Sequence, residues 1–93
     1  MPNAEVAAML NRIADLLEIR GENFFKVRAY REAVRQIDNL STEVETLIHD
    51  GRLTEVPGIG EAIEKKIVEF VSSGRLEFLT RLEAEVPPAL IGL

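Results

Sequence analysis

Apolar residues recur at intervals of three and four along almost the whole chain, the period of helices that each bury one face. Val6, Met9, Leu10, Ile13, Leu16 and Leu17 trace the first such stripe, over residues 5–19, with Asn3 placed to cap it and Gly21 to stop it. Asn23 is placed to cap a second helix running to about Asn39, with Val27, Tyr30, Ala33, Val34 and Ile37 turned inward. Ser41 or Thr42 opens a third, and Thr42 with Glu45 fits a capping box, in which each side chain satisfies the other residue's free amide. Val44, Leu47 and Ile48 face inward there, and Gly51 ends it. A short helical turn over Leu53–Val56 leads into Pro57-Gly58-Ile59-Gly60. The next helix runs from Glu61 to Ser73, buries Ile63, Ile67, Phe70 and Val71, and stops at Gly74. Leu76, Phe78, Leu79 and Leu82 mark a last short helix before Pro87 and Pro88. No segment alternates in the manner of a strand, so the pattern predicts an all-α bundle of four to five short helices over residues 1–86. Phe24, Phe25, Phe70 and Phe78 are assigned to its core. Residues 87–93, PPALIGL, read as a linker or as the opening of a missing further domain.

Composition narrows the chemistry. With 93 residues, the chain makes one small domain that buries about 60–65% of its unfolded surface, too little for an interdomain catalytic cleft. There is no cysteine, and His49 is the one histidine. Disulfides, cysteine nucleophiles, Cys-based zinc sites and His-rich metal sites are thereby excluded, and a Ser-His-Asp triad is disfavoured. His49, near a helix end, reads as a surface residue favoured by the helix dipole. No apolar run reaches the ~18 residues of a membrane span, and the N-terminus lacks the features of a signal peptide. The expected location is the cytoplasm, in association with the nucleoid and with no membrane partner.

The net charge of −5 argues against wholesale nucleic-acid binding, for which a basic domain is the usual footprint. Its distribution changes that picture. Lys26, Arg28, Arg31 and Arg35 enclose a single acid, Glu32, and the three arginines follow the helical period on a face of their own. Between Ser41 and Glu64 the balance reverses, with Glu43, Glu45, Asp50, Glu55, Glu61 and Glu64 against Arg52 alone. An acidic domain with one basic patch can bind phosphate locally.

The stretch LTEVPGIGEAIEKKIVEF (53–70) carries the most chemistry. Gly58 and Gly60 permit backbone angles that side chains forbid, and leave no Cβ to hold a nucleic-acid backbone away from the bend. The bend amides and the N-terminus of the following helix then form a positive pocket for a phosphate. Such a contact positions a duplex without reading its sequence. Glycines here also serve a tight αα-turn with no ligand. The whole pattern, apolar-Pro-Gly-apolar-Gly followed by Ala62-Ile63, Ile67 and Phe70, favours the helix-hairpin-helix DNA-binding motif.

IADLLEIRGENFFKVRAYREAVRQI (13–37) followed by VPGIGEAIEKKIVEFVSSGRLEFL (56–79) resembles the N-terminal domain of family X DNA polymerases of the bacterial and archaeal type. The likeness extends over residues 3–90. It implies a monomeric domain that grips the backbone and 5′-phosphate of gapped or nicked duplex DNA during base excision repair synthesis. The remainder of the polymerase chain would carry the nucleotidyltransferase activity and its Mg2+. The resemblance further implies that the backbone carbonyls of Thr54, Val56 and Ile59 hold a monovalent cation, Na+ or K+, which also takes a DNA phosphate oxygen, and that the amides of Gly60 and Ala62 contact that same strand; Gly58 is counted with the phosphate-binding residues. By the same resemblance Lys26 binds the 5′-phosphate and Tyr30 lines its pocket; Arg28 and Arg31 of the basic patch, and Lys65, are counted as further phosphate-binding residues. Lys66 matches the lysine that, in lyase-active members, forms a Schiff base with an abasic sugar, which would make the domain a 5′-deoxyribose phosphate lyase. Its amine attacks in the neutral form, which partial burial beside Ile67 favours.

The chain departs from the animal lyase pattern at three positions. Ala62 replaces a second phosphate-binding lysine, Phe25 a histidine and Lys65 a glutamate. One charge and one proton-handling group are thus missing, and Arg28 or Arg31 is the candidate to replace the charge. The competing reading is a helical protein-interaction module without DNA binding, which the acidic balance supports.

Overall fold

The computed structural model describes residues 1–86; the tail read as a linker or domain opening lies outside the described residues. Five α-helices and one 3-10 turn follow in order: α1 (Asn3–Ile19), α2 (Phe24–Asp38), α3 (Val44–His49), the turn Leu53–Glu55, α4 (Glu61–Ser73) and α5 (Glu77–Glu85). No strand occurs among the described residues, as the helical period predicts. α1 is the centrepiece, packing along α2 and also touching α4 and α5. Its stripe of Val6, Leu10, Ile13, Ala14 and Leu16 is wholly buried, against Ala33 and Ile37 of α2, Val44 of α3 and Ile67 of α4 in one core. None of the described helices is long and apolar enough to cross a membrane.

Two expected caps are corrected. Asn3 does not cap α1: Pro2 holds that position, and Asn3 is the first helical residue. Its amide reaches across to α3, where Oδ1 accepts from the Val44 amide at 2.9 Å and Nδ2 donates to the Thr42 carbonyl at 2.9 Å. The Thr42–Glu45 capping box does not form, because α3 starts two residues after Thr42 and Glu43 occupies its cap position without a side-chain bond. Asn3 supplies from another helix the acceptor that Thr42 was expected to give. Asn3→Ala is therefore expected to lower stability by about 1 kcal/mol, the usual cost of a lost cap, although α1 keeps all its own hydrogen bonds; urea denaturation checks it.

Asn23 caps α2 as expected, its Oδ1 accepting from the Phe25 amide at 2.8 Å. The cap fixes where α2 begins. Val27, Tyr30, Ala33 and Ile37 are buried, whereas Phe24 and Phe25 point outward at 66% and 75% exposure. The assignment of these two phenylalanines to the core is corrected: they lie off the buried stripe and stack edge-on with each other. Phe78 is also exposed, and Phe70 only packs against the core from its edge. His49 is exposed at the end of α3, as expected.

Candidate nucleic-acid interface

The bend between the 3-10 turn and α4 is fastened from beneath by Val56 and Ile59, both buried, with the Ile59 amide donating to the Val56 carbonyl at 3.1 Å. Its two glycines serve different ends. Gly58 has φ +86°, and a Cβ there would approach Glu32 Cγ of α2 to 3.2 Å. The left-handed backbone demands glycine at that position, and a side chain there would also press on Glu32. Gly60 has φ −91° and ψ −176°, angles any residue adopts, so the expectation that its conformation requires glycine is corrected. A Cβ at Gly60 would meet nothing within 4 Å. The missing side chain there leaves open surface instead of relieving strain.

Gly60 occupies the cap position of α4 and offers no side-chain acceptor. The first amides of α4, Ala62 among them, thus lack both an intrahelical partner and a side-chain cap, and the helix dipole adds partial positive charge. Glu61 and Glu64 in the same turn oppose part of it. Behind the bend, Glu32 accepts from Arg35 Nη2 at 2.7 Å and from Gln36 Nε2 at 2.9 Å. The Arg35 guanidinium, with help from Gln36, holds the Glu32 carboxyl below the usual carboxylate range.

In front of the bend lies a pocket of about 600 Å³. Gly58, Gly60, Ala62, Ile63 and Lys66 form one side, and Lys26, Ala29 and Tyr30 of α2 the other. Leu17 and Arg20 at the end of α1, Glu22 and Phe78 complete it. Six residues singled out from the sequence are therefore brought to one cavity: Lys26, Tyr30, Gly58, Gly60, Ala62 and Lys66. Tyr30 is buried, and that burial pushes its phenol above the ordinary value. Lys66 is half-buried, its Nζ 4.6 Å from the centroid of the Phe78 ring. Cations, free amides and an apolar wall in one cavity can hold a phosphate attached to a sugar.

Six other candidates do not line it: Thr54, Val56 and Ile59 along the bend, and Arg28, Arg31 and Lys65. Arg31 binds back onto α1, to Asn11 at 2.7 Å, Asp15 at 2.8 Å and Glu18 at 3.5 Å. Its role here is to clamp α2 to α1. Arg28 lies over the Phe24 ring at 5.5 Å, and Lys65 is exposed on α4. Neither Arg28 nor Arg31, the candidates to replace the charge absent at Ala62, lines this cavity. Arg20 and Glu22 are pocket residues that the sequence reading did not single out, and Phe78 is one that it assigned to the core. The signal available for the first two was position: they flank Gly21, where α1 must turn back to deliver Lys26. Among the described residues no cluster of histidine, aspartate or glutamate side chains could hold a metal ion.

A helical turn and a following helix, joined by a glycine bend that lines a pocket with three cations, define the helix-hairpin-helix class. A family model described as a helix-hairpin-helix domain matches residues 1–76, and the chain belongs to that family. Over 96 aligned residues it is 30% identical to the DNA polymerase/3'-5' exonuclease PolX of Bacillus subtilis (strain 168). The alignment takes in 100% of this chain and 16% of that polymerase, so the chain spans about one-sixth of the relative's length.

Proposed function

We propose that this domain binds gapped DNA by its backbone, with the bend amides on one strand and the 5′-phosphate of the gap in the pocket, and so delivers repair intermediates to a family X polymerase. The observation that carries the reading is that Lys26, Lys66, the two bend glycines and Ala62 line a single cavity. Likeness to a DNA polymerase supports DNA as the ligand. The carbonyls of Thr54, Val56 and Ile59 lie along the bend, where a Na+ or K+ would join them to a phosphate oxygen; the Val56 carbonyl, which accepts the Ile59 amide, has a second lone pair for it.

The test is affinity for a one-nucleotide-gapped duplex with and without the 5′-phosphate. The phosphate should tighten binding about tenfold, the worth of a charge-assisted hydrogen bond, and Lys26→Ala should remove that advantage. Equal affinity for both duplexes overturns the pocket assignment. Binding should also weaken steeply with salt, because each neutralised phosphate releases counterions.

A second activity has its own support in Lys66, which is half-buried at the pocket wall. In a 5′-deoxyribose phosphate lyase its Nζ would attack the C1′ aldehyde and expel water, giving an iminium. Loss of the C2′ proton to water then breaks the C3′–O bond, with the phosphate as leaving group and the iminium as electron sink. A borohydride-trapped adduct is the signature of that step.

A further inference from the structure

Arg20 and Glu22 enter the pocket from a loop with little freedom. α1 ends in a Schellman motif, with the Gly21 amide donating to Glu18 at 3.0 Å and the Glu22 amide to Leu17 at 2.9 Å. Gly21 takes the left-handed angles this needs, at φ +74°. Asn23 follows at once as the cap of α2. Arg20, Glu22 and Lys26 are thereby set at fixed places around one wall. The Glu22 carboxylate spans the two cations: Oε2 is 3.2 Å from Arg20 Nη2 and Oε1 is 3.7 Å from Lys26 Nζ. Its side chain is 28% exposed, less than Arg20 at 38% or Lys26 at 64%. The other Arg20 terminal nitrogen pairs with Glu85 of α5, which does not line the pocket and so steadies the guanidinium from outside.

We infer that Arg20 is a further ligand for the 5′-phosphate and that Glu22 is the resident counter-ion which the phosphate displaces. The inference rests on the reading of this cavity as a 5′-phosphate site and goes beyond it, to the cation that completes the site and the anion that guards it. Ala62 brings no charge, and neither Arg28 nor Arg31 lines the cavity, which leaves Arg20 as the cation on its wall beside Lys26 and Lys66. A guanidinium presents paired donors that match phosphate oxygens. A terminal phosphate carries about −1.5 to −2 charge and three acceptor oxygens, against one charge and two oxygens on the carboxylate. It can therefore satisfy both cations more fully than Glu22 does, and the exchange is favourable. Without DNA, Glu22 spares Arg20 and Lys26 from facing each other unneutralised.

The experiment is fluorescence anisotropy of the 93-residue chain on the two gapped duplexes, with Arg20→Gln, Glu22→Gln, Glu85→Gln and Lys26→Ala, each checked for folding by its helical melt. Arg20→Gln should cut the 5′-phosphate advantage about tenfold, as Lys26→Ala does. Glu85→Gln removes the other partner of Arg20 and should leave the advantage in place. Glu22→Gln should tighten the phosphorylated duplex about fivefold, the upper range for an exposed ion pair, and leave the 5′-hydroxyl duplex unchanged. If Lys26→Ala abolishes the advantage while Arg20→Gln or Glu22→Gln leaves the phosphorylated duplex at wild-type affinity, the inference fails and the phosphate pocket stands. If wild type shows no advantage, the pocket reading itself fails. Should Arg20→Gln unfold, Glu22→Gln decides alone.

Discussion

Gly60→Ala is expected to fold as well as the wild type and to bind DNA at least about tenfold more weakly. The two halves of that outcome have separate causes. The backbone at Gly60 is extended, and an added methyl meets nothing, so stability changes by no more than about 0.5 kcal/mol or rises slightly through a stiffer unfolded chain. The methyl does project from the cap of α4, where a phosphate must come close to the first amides. Losing a charge-assisted hydrogen bond there costs about 1.5–3 kcal/mol. Gly58→Ala should do the reverse at first: it forces a side chain into left-handed angles, at about 1–2 kcal/mol, and pushes on Glu32. Urea denaturation and anisotropy on the same samples separate the two. Equal DNA affinity for Gly60→Ala and wild type would mean that the open face of the bend is not where the phosphate lies.

The other large effect concerns Lys66. Borohydride reduction in the presence of a 5′-deoxyribose phosphate end should yield a covalent complex, and Lys66→Ala should abolish it while leaving affinity for the 5′-phosphorylated gap within about fivefold of wild type. On the proposed reading the 5′-phosphate is held by Lys26, Arg20 and the bend amides, whereas the adduct needs a primary amine inside the pocket. Lys65 is the internal control. It is a neighbouring amine on the same helix but is exposed, so Lys65→Ala should leave the adduct undiminished. An adduct that persists in Lys66→Ala, or none in wild type, removes the lyase from the account and leaves the phosphate site untouched.

Helices were legible because burial on one face repeats in sequence. α4 has the bounds that the pattern predicts, Glu61–Ser73, and α1 and α2 differ from it only at their ends. What was hidden depends on one element meeting another. Nothing local tells that Asn3 caps α3, because the partner lies about forty residues away. Phe24 and Phe25 read as core because they are large and apolar, yet they lie off the face that Val27, Tyr30, Ala33 and Ile37 bury against α1. Arg28, Arg31 and Arg35 share a spacing, but only tertiary contacts assign Arg31 to α1 and Arg35 to Glu32. The bend and its lysines were legible from a spaced motif. The wall formed by Arg20 and Glu22 was not, since it arises where the end of α1 folds back against α2.

The most direct measurement is a 15N-resolved NMR titration of the domain with a 5′-phosphorylated gapped duplex. The Gly60 and Ala62 amides should shift together with those of Lys26 and Lys66, and the Lys26 and Lys66 shifts should be largely lost when the 5′ end carries a hydroxyl. Shifts centred instead on Arg28 and Arg35, or an unchanged response from the hydroxyl duplex, would contradict it.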